Sequence, residues 1–99
     1  MLKVIFDTKP DAFMICDIAN SCIKDLGRIS VNVLYGLCCM YCEPDEEQIG
    51  WTDISNAKII RELDGYAIHF SDPIDVKPLK LEDSEFTDWF RLYRIKTGI

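Results

Sequence analysis

Five cysteines, at positions 16, 22, 38, 39 and 42, and a single histidine, His69, are the side chains of this sequence with the most specialised chemistry. Cys39 and Cys42 form a Cys-x-x-Cys pair, the spacing with which a tight loop holds two thiolates around one Zn²⁺. A closed site needs two more ligands. Cys16, Cys22, Cys38 or His69 would have to supply them from elsewhere in the fold, because no second pair has ligand spacing. Redox use of the pair would need a cationic neighbour to lower a thiol pKa, whereas Glu43, Asp45, Glu46 and Glu47 act in the opposite direction. Core packing is the simpler expectation, since cysteine behaves as a small hydrophobe and Leu37 to Cys42 lies in the most apolar stretch of the chain. No metal and no cofactor are expected, with a zinc-stabilised module through Cys39 and Cys42 as an alternative.

His69 falls in an apolar run, Tyr66 to Phe70, where strand alternation sets it opposite Ile68 and Phe70. Nothing in the spacing puts a cysteine beside it with a third, orienting group, so Cys-His nucleophilic catalysis is not indicated. The chain contains no G-x-S-x-G, H-E-x-x-H, P-loop or G-x-G-x-x-G. No catalytic residue is assigned.

The remaining chemistry is charge. Glu43, Asp45, Glu46 and Glu47, followed by Trp51 and Asp53, place carboxylates and an aromatic side chain on one connection. Such a segment reads either as a solvated loop or as an acidic interaction surface with Trp51 as its aromatic anchor, suited to a basic groove on a partner protein. Eleven Lys and Arg against seventeen Asp and Glu give a formal charge of −6, which opposes attraction to phosphate backbones. Residues 1–50 carry four basic and eight acidic side chains and residues 51–99 carry seven and nine, so neither half is basic. Arg91, Arg94 and Lys96 form the one local basic cluster.

These residues have to be positioned by a small number of elements. Ninety-nine residues, 48% of them apolar, correspond to one α+β domain spanning 1–99. The longest run without charge, Ile29 to Cys42, has fourteen positions, short of the roughly 20 that a membrane span needs. Met1 to Asp7 lacks the apolar core of a secretory signal and reads as a strand, so a cytoplasmic location with free thiols is expected. Pro10 in a first turn, apolar residues at helical spacing from Ile15 to Leu26, and Gly27 as a stop predict a helix over 10–26. Alternation from Arg28 to Val33 predicts a strand. The apolar stretch that follows fits a buried continuation of that strand, favoured to about residue 41, or a short internal helix. Residues 43–48 read as an acidic loop and residues 49–56 as irregular.

Ala57 to Leu63, Asp64-Gly65 and Tyr66 to Phe70 predict a hairpin with a type I′ turn. Ile74 to Lys77 reads as an edge strand before Pro78. Phe86, Trp89, Phe90 and Tyr93 at helical spacing predict a final helix; the rival is a helical turn at 84–88 followed by a strand over 89–95. The expected order is β-α-β, a β-meander and a C-terminal helix, with a helix packed on one face of a sheet.

The segment Glu62 to Leu81, which contains Gly65-Tyr66-Ala67-x-His69-x-Ser71-Asp72, resembles a stretch of phage and prophage members of the ASCH family. The resemblance covers about a fifth of the chain. It implies a small PUA-like β-barrel, RNA binding and, for some members, chemistry on nucleic-acid derivatives. The family's G-x-K-x-x-E-x-R motif has no counterpart, since Leu26-Gly27-Arg28-Ile29-Ser30 follows the first helix here, so none of its functional residues carries over.

Size, acidity and incomplete catalytic motifs together point to a non-enzymatic intracellular binding protein, of the accessory or inhibitor type found in phages and mobile elements. Its partner would be a host or cellular protein, itself able to bind nucleic acid, met through Glu43, Asp45, Glu46, Glu47, Trp51 and Asp53. An ASCH-like nucleic-acid-binding or hydrolytic domain is the alternative from another class, and it would bring Arg28, Arg91, Arg94 and Lys96 onto one face with His69. Trp51, Phe90 or Cys38, if exposed, could form a homodimer seam.

Overall fold

Leu2–Phe6 is an apolar run whose alternate side chains need cover from water, and in the computed structural model of the protein, which describes residues 2–41 and 43–98, it forms strand β1. Helix α1, Lys9–Leu26, then crosses over the sheet. Its start is local chemistry: the Thr8 hydroxyl accepts from the Asp11 N–H, and proline occupies the first turn, where its missing N–H costs nothing. Its end is Gly27 in the left-handed conformation, with its N–H bonded to the Ile23 carbonyl at 2.8 Å. Ala12, Ile15, Ile18, Ala19 and Cys22 form the buried stripe.

The strand expected over 28–41 does not form as such. Only Ile29–Ser30, strand β2, is extended, and Val31–Leu37 is helix α2. The switch has a physical cause in Ser30. Its hydroxyl accepts from the Val33 N–H as a helix cap and donates to the Leu79 carbonyl at 2.7 Å. Burial of Val31, Val33 and Leu34 then outweighs the modest helix propensity of valine. A 3-10 turn, Pro44–Glu47, follows where a loop was expected, and Ile49–Trp51 is strand β3 rather than irregular chain.

Lys58–Glu62 and Gly65–Phe70 form β4 and β5 of the predicted hairpin. Its turn is displaced by one residue from the expected Asp64-Gly65. Glu62 pairs with Gly65, Leu63 and Asp64 form the tip, and Asp64 does not take the positive φ that a type I′ turn demands. Gly65 itself has φ +135°, and a Cβ there would lie 2.2 Å from the Phe6 carbonyl oxygen. Ile74–Asp75, β6, is the edge strand expected near Pro78, and Ser84–Thr97 is the final helix, α3.

The strands divide into two antiparallel sheets, β1-β5-β4 and β2-β3-β6, so β1 and β2 are not paired across α1. Trp51 joins the sheets. Its ring centroid lies 5.0 Å from that of Phe70, and its Nε1–H donates to the Ser71 carbonyl at 2.9 Å. The result is an α+β domain whose core runs from Val4 and Ile68 through α1 to Leu34, Leu79 and Phe86. No helix among the described residues is long and apolar enough to cross a membrane.

Arg28 is the most heavily bonded side chain in this framework. Only 5% exposed, it donates to the carbonyls of Leu26, Lys77 and Pro78 and makes a two-pronged contact with the Glu85 carboxylate at 2.9 and 3.1 Å. Replacing it by alanine strips three backbone carbonyls of their partner. Arg28→Ala should lower stability by about 3 kcal/mol, and Arg28→Lys should recover only part because an ammonium lacks the planar fork. Urea midpoints at unchanged slope measure both. The guanidinium also holds the Glu85 carboxyl below its ordinary value. That stabilisation is present above the unfolded carboxyl value of about 4.3 and is lost as pH falls through the depressed folded one. Glu85→Gln should therefore be less stable than the parent at neutral pH and show a shallower loss in acid, read from thermal melts across that range.

Candidate functional site

The acidic segment is an ordered turn. The Glu46 carboxylate accepts from the Glu43 N–H and closes the start of the 3-10 helix. The segment is tied to the chain before α3, since the Leu79 N–H donates to the Glu47 carbonyl at 3.1 Å and the Val76 N–H to the Gln48 carbonyl at 3.0 Å. Glu47 also faces Lys80, 3.9 Å away. Of the four carboxylates expected there, those of Glu43 and Asp45 belong to exposed residues, whereas Glu46 and Glu47 are half-buried.

Trp51 does not serve as the aromatic anchor of this surface. It is 2% exposed, because the second sheet carries it beneath Phe70. Asp53 is likewise drawn into local structure: the Ser55 N–H donates to its Oδ1 at 2.8 Å and holds the carboxyl below its usual value. The aromatic residue beside the acidic turn is instead Tyr41, 79% exposed, with Met40 exposed before it. The position of Tyr41 two residues before Glu43 was the available sequence signal. It was masked by the apolar run in which Tyr41 sits.

The cysteines act as packing and surface residues. Cys16, Cys22, Cys38 and Cys39 are free thiols. Burial pushes Cys22 up to about 12 and Cys38 up to about 11, and it also raises Cys16. Cys39 is exposed with φ +58°. Cys42, the other half of the expected pair, lies outside the described residues. Among the described residues no group of three or more His, Cys, Asp or Glu is placed to hold a metal ion.

His69 lies on the outer face of β5, across from Lys3 and Lys58. Its Nε2 is 2.7 Å from Glu62 Oε2, and Lys3 Nζ donates to Glu62 Oε1 at 2.9 Å. Lys3 first and His69 second hold the Glu62 carboxyl below its ordinary value. Lys3, Glu62 and His69 thus form a surface hydrogen-bonded cluster. The arginines lie elsewhere: Arg28 is locked to Glu85, while Arg91 and Arg94 line a groove between α2 and α3. Lys96 borders a different groove, between α1 and α3.

The α2–α3 groove is a concavity of about 930 Å³ that sequence reasoning did not find. Its floor is made by Gly36, Leu37, Leu81, Phe86 and Phe90. Gly36 permits the close approach, since a Cβ there would lie 2.5 Å from Leu81 Cδ2. A glycine within an apolar run was the signal for a close contact.

Comparison with known protein families, curated proteins and solved structures finds no match. The reading of the site therefore rests on its own geometry.

Thiol alkylation checks the cysteine assignment. At pH 8 the folded protein should react rapidly at Cys39 while Cys22 and Cys38 stay protonated and unmodified, and unfolding should release them to the reagent. Peptide mapping after a brief iodoacetamide pulse reads this directly, and rapid native labelling of Cys22 would contradict it.

Proposed function

We propose that the protein is a non-enzymatic binding domain that meets a basic surface on a protein partner through its acidic turn. The observation that carries this reading is the ordered turn Pro44–Glu47, with Glu43 and Asp45 exposed and the exposed Tyr41 two positions before Glu43 in the chain. Two carboxylates on an ordered turn lose less conformational freedom on binding than the same charges on a mobile loop. The net charge of −6 steers a basic partner towards the molecule, and an aromatic side chain supplies the apolar contact that charge alone lacks. Tyr41 takes the part that the sequence assigned to Trp51.

A partner surface that is basic for the sake of nucleic acid fits this chemistry, which makes competition with nucleic acid the mode of an accessory or inhibitory protein. The reduced thiols accord with action in the cytoplasm. The ASCH-like alternative would need an electropositive concave face. Arg91 and Arg94 in the α2–α3 groove are the feature that favours it, although Arg28 and His69 are committed to Glu85 and Glu62.

The test is affinity capture by the tagged protein from a bacterial lysate, with and without nuclease, repeated with Glu43→Lys/Asp45→Lys and with Tyr41→Ala. A protein partner that survives nuclease should lose affinity by about tenfold or more on charge reversal, and its binding should weaken with salt. Capture unaffected by the reversal would remove the acidic turn from the account. Capture abolished by nuclease would move the assignment to nucleic-acid binding.

A further inference from the structure

We infer that the α2–α3 groove is a binding site for a linear amphipathic anion, a free fatty acid whose carboxylate meets Arg91 and Arg94 while its acyl chain lies on the apolar floor. The groove is concave, and its volume of about 930 Å³ falls within the range of small-molecule sites. Its lining follows α3 from Phe86 to the cap at Gly98, about 18 Å of chain at a helical rise of about 1.5 Å per residue. That shape suits an extended ligand better than a compact one.

The floor is built before any ligand arrives. Gly36 lets α2 approach Leu81 closely, and Leu81 is fixed by its N–H, which donates to Asn32 Oδ1 at 3.1 Å. The rings of Phe86 and Phe90 stack with centroids 5.5 Å apart and planes 15° from parallel. A preformed apolar surface binds without the cost of ordering its own side chains.

Charge sets the head group. In a chain of net charge −6, the described residues that line this groove include two arginines and no carboxylate. Arg91 and Arg94 stand three residues apart on α3, a spacing that brings side chains together on one face of a helix. The Arg94 guanidinium lies over the Phe90 ring, 6.0 Å from its centroid, and so sits above the floor. Arg91 donates one N–H to Asp88 at 3.3 Å, in a pair whose side chains are 71% and 65% exposed. Such a pair is worth little in water, and a guanidinium presents five donors, so Asp88 leaves room for a second carboxylate. Planar forks match that group two bonds at a time. A cation would be repelled and a neutral lipid would leave the arginines unused. A polyanion would meet the opposing field of the whole molecule more strongly than a single carboxylate does.

The site shares no residue with the acidic turn and rests on different chemistry, so the two readings fail independently. Equilibrium dialysis of the full chain against decanoate should show saturable binding of one molecule per chain. Decan-1-ol, with the same chain and no charge, should bind about tenfold more weakly or worse, and decanoate should lose as much on Arg91→Gln/Arg94→Gln. Octanoate should bind about fourfold to tenfold more weakly than decanoate, because two methylenes leave the floor. Thr87→Trp, at an exposed position on the groove wall, should abolish binding by filling the space of the acyl chain while leaving both arginines in place. The substituted positions are all exposed, and circular dichroism verifies that each variant is folded. Failure to saturate with decanoate up to millimolar concentration would overturn the inference. Binding indifferent to chain length, or to both the arginine and the Thr87 changes, would overturn it as well.

Discussion

The fold depends on one desolvated cation. The Arg28 guanidinium is almost sealed from water, and a charge in that position is tolerable only because its donors are directed at carbonyl oxygens and a carboxylate. Those acceptors come from three places: the end of α1, the chain at Lys77 and Pro78, and the first turn of α3. Ser30 and Asn32 continue the work along the same stretch, accepting or donating at Leu79 and Leu81. Three polar side chains at alternate positions thus bind the backbone of residues 77–81 across α2 and the second sheet. That segment has almost no regular structure of its own, and it is held by side chains where a strand would be held by a ladder.

Fixing this strap fixes what lies on either side of it. The acidic turn hangs from it through Glu47 and Gln48, and α3 starts from it through Glu85 and Phe86. Beyond its first turns α3 rests on the body through aromatic side chains: Phe86, Trp89, Phe90 and Tyr93 pack against the core and touch one another, and Trp89 is bonded to Asp25. Grooves lie on both of its flanks. The same aromatic spacing that anchors α3 leaves its other face in water.

Trp51 shows how a surface assignment depends on sheet geometry. It follows the acidic residues 43–47 and precedes Thr52 and Asp53, a setting that in isolation favours exposure. In the structure it closes the seam between the two sheets, where its ring meets Phe70 and its N–H donates to the Ser71 carbonyl. Tyr41 takes the exposed position because α2 ends before it and the chain turns back through Cys39.

Elements specified by their own neighbours were legible in the sequence: α1 by Thr8, Pro10 and Gly27, α3 by its aromatic period, and β4 and β5 by the breaker between them. Their signals act over three or four residues and need no partner from afar. The clustering of acidic charge at 43–47 was legible for the same reason. The stretch from Arg28 to Tyr41 was not, because Arg28, Ser30 and Asn32 alternate with apolar residues in the pattern of a half-solvated strand. An alternating polar face looks the same in sequence whether it meets water or the backbone of residues 77–81, nearly fifty positions away. Composition and local spacing determined the class of fold and most of its elements. The tertiary structure alone decided which polar groups would be buried, which aromatic side chain would face the solvent, and that α3 would leave one face uncovered.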